Sequence, residues 1–226
     1  MSGALELAER SLAAAPPGET LALVIRERSL ALRFARSRPT QATSLDDLTV
    51  EIAVVRDGHV GRAATNDTDS EALASCGKRA EAAAQAAARG RGSGGYPGFP
   101  GPAEPVAHLG HDEETARLDP AEGGRALAAA FAVAEDAGVD AHGIWNSAEV
   151  ETAVASTAGT AVGEAVTDAF MKVVCIAPSG RSGYAACTSR AVGGLDAAQL
   201  AATAVAKATH AGEPANLPPG EYPVVF

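Results

Sequence analysis

The residues best suited to chemistry form one short cluster, in which His108 and His111 stand beside Asp112, Glu113 and Glu114. Two imidazoles three residues apart, with carboxylates next to them, could ligate zinc. A metal site needs that geometry to be held rigidly, and this segment reads as a loop. Nor does it have the His-Glu-x-x-His spacing that places two histidines on one face of a helix. The sequence therefore favours a solvated polar loop over a zinc site.

Other residue patterns add no recognisable catalytic site. The sequence has no Gly-x-Ser-x-Gly elbow for a nucleophilic serine. It has no pair of acids spaced to face each other across a cleft. Asp136, Asp140 and His142 are close in sequence, but a helix end followed by a turn is an ordinary place for surface polar groups. We therefore predict no catalytic and no metal-binding residue in this chain, and the substrate-binding residues stay unknown.

Glycine and proline dominate residues 90–105, GRGSGGYPGFPGPAEP, without any hydrophobic periodicity. A glycine-rich phosphate loop would follow a strand, precede a helix and usually end in Lys-Ser/Thr. Here the preceding segment has helical character and no such lysine follows. The stretch is therefore interpreted as a linker or an exposed loop.

The composition argues against nucleic-acid and membrane partners. The net charge is −10, and no basic face of the kind that binds nucleic acid is visible. Five arginines lie in a strand-like stretch, a pattern typical of the solvated face of a sheet: Arg26, Arg28, Arg33, Arg36 and Arg38. No apolar run approaches the length of a membrane span, and the first residues lack the features of a signal peptide.

Cysteine usage indicates a reducing compartment. The three cysteines are odd in number and widely spaced, which favours free thiols and a cytoplasmic location. Cys175 and Cys187 could approach each other across a hairpin, but a structural disulfide there is the weaker interpretation.

The chain writes one short motif twice. Residues 58–64 and 180–186 share the skeleton Gly-x-x-Gly-x-Ala-Ala, and each copy follows an apolar run and precedes an Ala-rich helical segment. Such a unit is a β-hairpin closed by a glycine turn and backed by a helix. Asp57-Gly58 is a strong hairpin signal, because both central positions of a type I′ turn need positive φ. Two copies predict two related halves that share one sheet or stack two similar sheets.

These signals predict an α+β fold, in which two helix–β-hairpins–helix halves form an antiparallel or mixed sheet packed by Ala-rich helices. In the first half we predict a helix over 4–15, strands over 20–25, 29–35, 50–55 and 59–65, a polar stretch over 36–47, and a helix from Asp69 or Ser70 to Arg89. In the second half we predict a helix over 122–137, strands over 143–145, 150–156, 162–169, 171–177 and 183–188, and a helix to about Ala211.

The predicted domain division has four parts. Residues 1–89 form the first half, 90–121 a Gly/Pro-rich linker and polar loop, and 122–216 the second half. Residues 217–226 are apolar with β-branched residues, which predicts the start of a strand of a further C-terminal domain. We therefore expect the chain to be the front part of a longer protein.

Several stretches together resemble one known family. They are 145–159 (WNSAEVETAVASTAG), the hairpin and helix after Met171, and 217–226 (LPPGEYPVVF). They are similar to the N-terminal portion of the TldD/PmbA family, whose members are also called modulators of DNA gyrase. In that family a Pro-Gly-x-Tyr-Pro-Val-Val-Phe/Leu strand begins the C-terminal domain. The resemblance runs from about Leu48 to Phe226.

The resemblance implies a subunit of a cytoplasmic zinc metallopeptidase that acts on unfolded peptides. In the family, a TldD-type subunit carries zinc on a His-Glu-x-x-x-His helix and pairs with a TldE/PmbA-type subunit that lacks the metal ligands. No residue of this sequence matches the zinc helix. The expectation is therefore a non-catalytic N-terminal domain of the TldE/PmbA type, with no cofactor in this chain and zinc in the partner subunit or a missing C-terminal half.

The expected partners are a homologous TldD-like subunit or a second copy in a dimer, together with unfolded peptides, and not nucleic acid or a membrane. An extended peptide could add as a strand to a hairpin edge. Two alternatives stay open. The chain could be a fragment of a TldD-type catalytic subunit whose zinc helix lies after Phe226, or a scaffold domain with no peptidase role.

Overall fold

Two successive runs of helix, three strands and helix make up the chain. A computed structural model describes residues 3–91, 94–210, 212 and 216–224. The first run is α1 (Gly3–Ala14), β1 (Thr20–Ala35), β2 (Arg38–Arg56), β3 (His59–Thr65) and α2 (Ser70–Arg91). The second is α3 (Pro120–Asp136), β4 (Asp140–Ser156), β5 (Ala161–Ile176), β6 (Ser182–Ser189) and α4 (Ala197–Ala208). Short 3₁₀ turns occupy Thr115–Arg117 and Val192–Gly194.

All six strands join one antiparallel sheet in the order β3-β2-β1-β4-β5-β6. In this order β1, β2 and β3 run outward from the centre on one side, and β4, β5 and β6 run outward in the same way on the other. A pseudo-twofold axis therefore passes between β1 and β4. Arg28 of β1 lies opposite Glu149 of β4 near this axis. The predicted α+β fold with two related halves is confirmed, and the halves share a single sheet.

Several predicted strand boundaries are wrong. Residues 20–25 and 29–35 form one strand, and so do 143–145 with 150–156 and 162–169 with most of 171–177. The predicted polar stretch 36–47 is mostly the first half of β2. It pairs with β1 through a hairpin whose turn residues, Arg36 and Ser37, have φ of 52° and 54°. Backbone pairing with β1 and polar contacts such as the Arg26–Asp46 ion pair hold this exposed segment, so its side chains need no hydrophobic period.

The four helices cover one face of the sheet over two hydrophobic clusters. Helices α1 and α2 pack on Val24, Ile52 and their neighbours, and α3 and α4 pack on Trp145, Met171 and theirs. Because side chains alternate along a strand, the residues between these point to the opposite face. Ile25 on that face is 38% exposed, and none of the described helices covers it.

The repeated glycine motif marks equivalent positions in the two halves. The first glycines, Gly58 and Gly180, have φ of +69° and +82° in the hairpin turns. The second glycines lie where a helix touches the outer strand. A Cβ on Gly61 would sit 2.1 Å from the Ala80 carbonyl oxygen, and one on Gly183 would sit 2.0 Å from the Ala204 carbonyl oxygen. The sequence repeat is therefore a repeat of helix–strand packing.

Residues 94–112, between the two halves, contain no helix or strand. They follow the end of the sheet, where the Gly94 amide donates to Asp57, and the Phe99 amide donates to the Glu19 side chain at 2.6 Å. Residues 217–224 form no strand, while Ala211, Val225 and Phe226 lie outside the described residues. No helix in the described part of the chain is long and apolar enough to cross a membrane.

Candidate functional site

Part of the β5 edge is closed by the chain itself. β6 pairs with β5 only from Ala169 onward, so residues 161–168 have no strand partner on that side. Residues 108–112, which we call the strap, lie along this edge. The Thr167 amide donates to the Gly110 carbonyl at 3.0 Å, and the Asp112 amide donates to the Thr167 hydroxyl at 2.9 Å. The Arg190 guanidinium holds the Leu109 carbonyl at 2.6 Å.

The two histidines of the strap each contact a carboxylate. His108 Nε2 lies 2.7 Å from Glu164 Oε2, and His111 Nε2 lies 3.0 Å from Glu149 Oε1. The register places Glu149 opposite Thr167, so Glu149 and Glu164 point to opposite faces of the sheet. The strap has no helix or strand and is mostly exposed, as predicted for a polar loop, but both of its imidazoles are held by carboxylates. They also do not converge, and the described residues contain no group of three or more metal-ligating side chains.

Glu149 is the centre of a polar cluster near the pseudo-twofold axis. The residue is 8% exposed, and its carboxylate contacts both His111 and the Arg28 guanidinium. Burial by itself raises the pKa of Glu149, but hydrogen bonds and charges from His111 and Arg28 outweigh burial and leave that pKa below its usual value. The group thus stays ionised at neutral pH. It joins the strap to both halves rather than exchanging protons.

The arginine stretch is only partly the solvated face that the sequence predicts. Arg28 is half-buried against Glu149, whereas Arg26 forms an exposed ion pair with Asp46 at 2.8 Å. The hydrogen bond from Arg26 lowers the pKa of Asp46. These contacts explain why β1 continues through two arginines, since each one meets a carboxylate on the same face.

The remaining titratable groups of note offer no nucleophile. Cys76, Cys175 and Cys187 are all free, so the Cys175–Cys187 disulfide does not form. Burial raises the pKa of the Cys76 and Cys175 thiols, which keeps them protonated and unreactive. Asp168 lies on the helix-free face of β5, and burial raises its pKa as well.

The outer edges of the two hairpins are capped by basic side chains from the helices. Arg79 of α2 donates to the Ala64 carbonyl of β3 at 2.8 Å, and Lys207 of α4 donates to the Tyr184 carbonyl of β6 at 2.7 Å. Both carbonyls point away from the sheet, because they alternate with residues that bond the inner strand. The hairpin edges proposed for strand addition are therefore partly closed.

A long stretch of β2, between the β1–β2 turn and the start of its pairing with β3, has no partner on its outer side among the described residues. The Val55 amide donates to Glu19 on the β1 side, so alternation turns the main-chain groups of Ala42, Ser44 and Asp46 outward. β3 pairs with β2 only from Val50 to Arg56. Residues 38–47 are exposed throughout. We take residues 42–48, which lie just before the pairing with β3, as the candidate binding site and call them the β2 edge.

Sequence reasoning missed the β2 edge and the Glu149 cluster. The edge segment, ATSLDDL, alternates too weakly to be recognised as a strand. Its one signal is Pro39, which tolerates an edge but not a central strand. Glu149 meets Arg28 and His111 only through pairings across the sheet, over 121 and 38 residues of chain. No local pattern could have joined them.

Comparisons with known proteins agree with this architecture. Residues 22–84 match the family model described as PmbA/TldA metallopeptidase domain 1. The structure of TldE from Thermococcus kodakarensis has a TM-score of 0.76 with 17% identity over 90% of this chain and 46% of that chain. A candidate modulator of a DNA gyrase from Thermotoga maritima has a TM-score of 0.74 with 22% identity over 90% and 47%.

At these identities the structural likeness shows the fold alone. The chain spans about half the length of the solved structures that it resembles. No curated protein matches the chain by sequence.

Proposed function

Because the chain belongs to the TldD/PmbA family, we propose that it is the non-catalytic N-terminal domain of a TldE/PmbA-like subunit. That subunit would work in a cytoplasmic zinc metallopeptidase complex acting on unfolded peptides. The matching family model is described as a metallopeptidase domain, which supports the peptidase assignment. The likeness to TldE shows the fold alone, so the subunit type is part of the proposal.

Zinc would be held outside the residues described here. His108 and His111 are both engaged by carboxylates on opposite faces of the sheet, and no group of three candidate ligands exists among the described residues. A structural or catalytic zinc site needs three or four ligands converging within about 2.3 Å of the ion. We therefore assign the metal to a homologous TldD-like partner, or to chain beyond this domain.

The observation that carries a binding role for this chain is the β2 edge. Its outward main-chain groups have no strand partner among the described residues, whereas the strap bonds the β5 edge at Thr167 and a basic side chain engages one carbonyl on each hairpin edge. An extended peptide adds to such an edge by main-chain hydrogen bonds that do not depend on its sequence. That tolerance suits a complex whose substrates are unfolded segments.

Peptide addition can be tested with a labelled unstructured peptide and fluorescence anisotropy. Ser44→Pro removes one outward amide and preserves the inner pairing with β1, so we expect the dissociation constant to rise about tenfold. Ser44→Ala keeps the amide and is the matched control, with an unchanged constant. Equal affinities for the two variants would refute binding at the β2 edge.

The peptidase role needs a second experiment on the protein isolated from its own cells with whatever subunit stays bound. We expect about one zinc per complex, lost on chelation together with peptide cleavage. Zinc that stays with the isolated subunit of this chain, without a homologous partner, would favour the TldD-type alternative. A protein with no zinc, no partner and no peptide binding would leave the scaffold alternative.

A further inference from the structure

Two polar clusters that are visible in the sequence, and that the proposed function does not use, meet at one pocket. Arg36 and Ser37 form the turn between β1 and β2, Arg38 begins β2, and residues 138–140 lead from α3 into β4. The Ser37 amide donates to the Ala141 carbonyl at 2.9 Å, and the Ala141 amide donates to the Ser37 hydroxyl at 3.0 Å. These bonds hold side by side two segments that lie 104 residues apart in the chain.

The pocket between these segments, which we call the turn pocket, has a volume of about 690 Å³. Ligand sites in proteins commonly measure roughly 300–1,000 Å³. Its apolar lining comes from Phe131 of α3, from Val139 and from the end of β5 at Ile176. Its charged lining consists of four exposed side chains: Arg36, Arg38, Glu135 and Asp140. The turn pocket therefore combines an apolar surface with both signs of charge.

The four charged side chains of the turn pocket are unpaired. None of them has an ion-pair partner among the described residues. A purely anionic ligand would meet the two carboxylates as well as the two guanidinium groups, and a purely cationic ligand would meet the same conflict in reverse. A ligand with one anionic end and one cationic end fits both pairs.

The β1–β2 turn is strained in a way that positions its arginines. Arg36 and Ser37 have φ of 52° and 54°, a region that side chains other than those of Asn and Asp rarely adopt. The two bonds to Ala141 hold the turn in place. Strain of this kind persists where the surrounding structure fixes it, and it is concentrated at functional sites.

The end of α3 also departs from the usual preference of a helix. The C-terminus of a helix carries partial negative charge and is stabilised by basic side chains. The last turn of α3 contains Glu135 and Asp136 and no basic residue. Asp140 adds a further carboxylate just beyond the helix. This end of the turn pocket therefore favours a cationic group that the helix itself does not supply.

The spacing of the two charge pairs sets the length of the ligand. Arg38 lies on β2 and Asp140 on β4, with β1 between them in the sheet. Neighbouring strands lie about 4.8 Å apart, so roughly 10 Å separates the two backbones. The charged groups of a free amino acid share one carbon and cannot span this distance. The ends of an extended peptide of two or three residues can, since each residue adds about 3.3 Å.

We propose that the turn pocket binds a short peptide of two or three residues with both ends free. Arg36 and Arg38 would hold its carboxylate, because their planar donors match the two carboxylate oxygens. Its ammonium group would lie against Glu135 and Asp140, at the negative end of α3. This site goes beyond the proposed function and rests on it only for the source of the ligand, since a peptidase releases peptides of this kind.

Isothermal titration calorimetry with the 226-residue chain tests the site through the two ends of the ligand. The probe is the dipeptide leucyl-leucine, compared with its N-acetylated form and with its C-terminal amide. We expect the free dipeptide to bind at least about tenfold more tightly than either blocked form, because each block removes one charged hydrogen-bonding group.

Variants of the exposed lining assign each end of the dipeptide to its partner. Arg38→Gln should weaken binding of the free dipeptide about tenfold and leave binding of the amide unchanged, because the amide has no carboxylate. Asp140→Asn should weaken binding of the free dipeptide in the same way and leave binding of the acetylated form unchanged. Arg33→Gln is the matched control, since Arg33 is an exposed arginine outside the lining and its loss should change neither affinity.

The outcomes separate this site from the proposed function. Equal affinities for the free dipeptide and either blocked form would overturn the site, and so would a loss in Arg33→Gln equal to that in Arg38→Gln. Ser44→Pro should not change dipeptide binding, and the calorimetry needs neither zinc nor a partner subunit. Failure of the β2 edge or of the peptidase role therefore leaves this site standing, whereas a chain that binds no dipeptide overturns this site alone.

Discussion

The two halves of this chain carry the same elements in the same order, yet they treat their sheet edges differently. In both halves a glycine hairpin packs under an Ala-rich helix, with Gly61 and Gly183 at the contact. In both, a basic side chain of that helix caps the outer strand. The second half also has the strap along β5, whereas the matching stretch of β2 is open.

This difference shows which features the fold requires and which are available for binding. The hairpin and helix contact recurs because it holds each half together. The edge beside it does not recur, because the strap comes from the connection between the halves and its main chain bonds the edge of β5 at Thr167. The two halves share one framework of strands and helices but differ at their sheet edges. Such a difference suits a domain in which only one edge contacts another chain.

The largest expected effect tests whether the glycine contacts are equivalent. Gly61→Ala and Gly183→Ala should each lower the free energy of unfolding by about 3 kcal/mol, because the new Cβ displaces a helix from its strand. Urea unfolding measures both. Gly124→Ala is the control, since a Cβ there meets nothing within 4 Å and sits in the interior of α3. It should stabilise the protein slightly.

If one of the two variants lost less than about 1 kcal/mol of unfolding free energy, the two glycine contacts would not be equivalent. This would mean that the helix in the half with the smaller loss can move away from its strand at little cost. The repeat of Gly-x-x-Gly-x-Ala-Ala would then mark equivalent sequence without equivalent packing.

The repeat was also the part of the fold that the sequence predicted best. Glycine turns, apolar runs and Ala-rich helices are local signals, and β3 was predicted at its observed bounds, His59–Thr65. The lengths of the strands, in contrast, are not set by local signals. β1 continues through Arg26 and Arg28 only because carboxylates of β2 and β4 meet them across the sheet.

The candidate site was less predictable for the same reason. A strand edge can bind another chain only if no other segment of the protein covers it. A sequence pattern does not show whether a strand lacks a neighbour. Residues 42–48 are recognisable as an edge only once β3 is seen to pair with β2 from Val50 onward. The strap histidines invited a metal interpretation because their carboxylate partners, Glu149 and Glu164, come from elsewhere in the chain.

A smaller effect is expected at Glu149, where the halves meet. Glu149→Gln should cost about 1–2 kcal/mol of unfolding free energy, because Arg28 and His111 lose a nearly buried anionic partner. Glu51→Gln is the control, since Glu51 only pairs with an exposed Arg62 and should cost less than about 0.5 kcal/mol. An equal cost for both would remove Glu149 as the link between the halves.

The unfolding free energies of wild type and Glu149→Gln should also differ in their pH dependence, and the lowered pKa of Glu149 sets the sign of that difference. The pKa of folded Glu149 lies below its unfolded value, so its stabilisation is fully present above the unfolded pKa, about 4.3. It is lost as the pH falls through the folded pKa. The difference in unfolding free energy between wild type and Glu149→Gln should therefore shrink as the pH falls below about 5 and through the folded pKa. A constant difference would contradict the lowered pKa.

The smallest stability effect is expected at the caps, where the halves are alike again. Arg79→Met and Lys207→Met keep the apolar stem and remove the donor, and both side chains are exposed, so each should change the unfolding free energy by less than about 0.5 kcal/mol. Their effect on association should be larger. With both caps removed, more main-chain groups of the two outer strands can pair, and light scattering should show larger assemblies than for the wild type. Lys78→Met changes an exposed neighbour that bonds no edge carbonyl in the described part of the chain, so it is the control and should change neither quantity. Growth in only one of the two single variants would show that the halves differ at their outer edges as well.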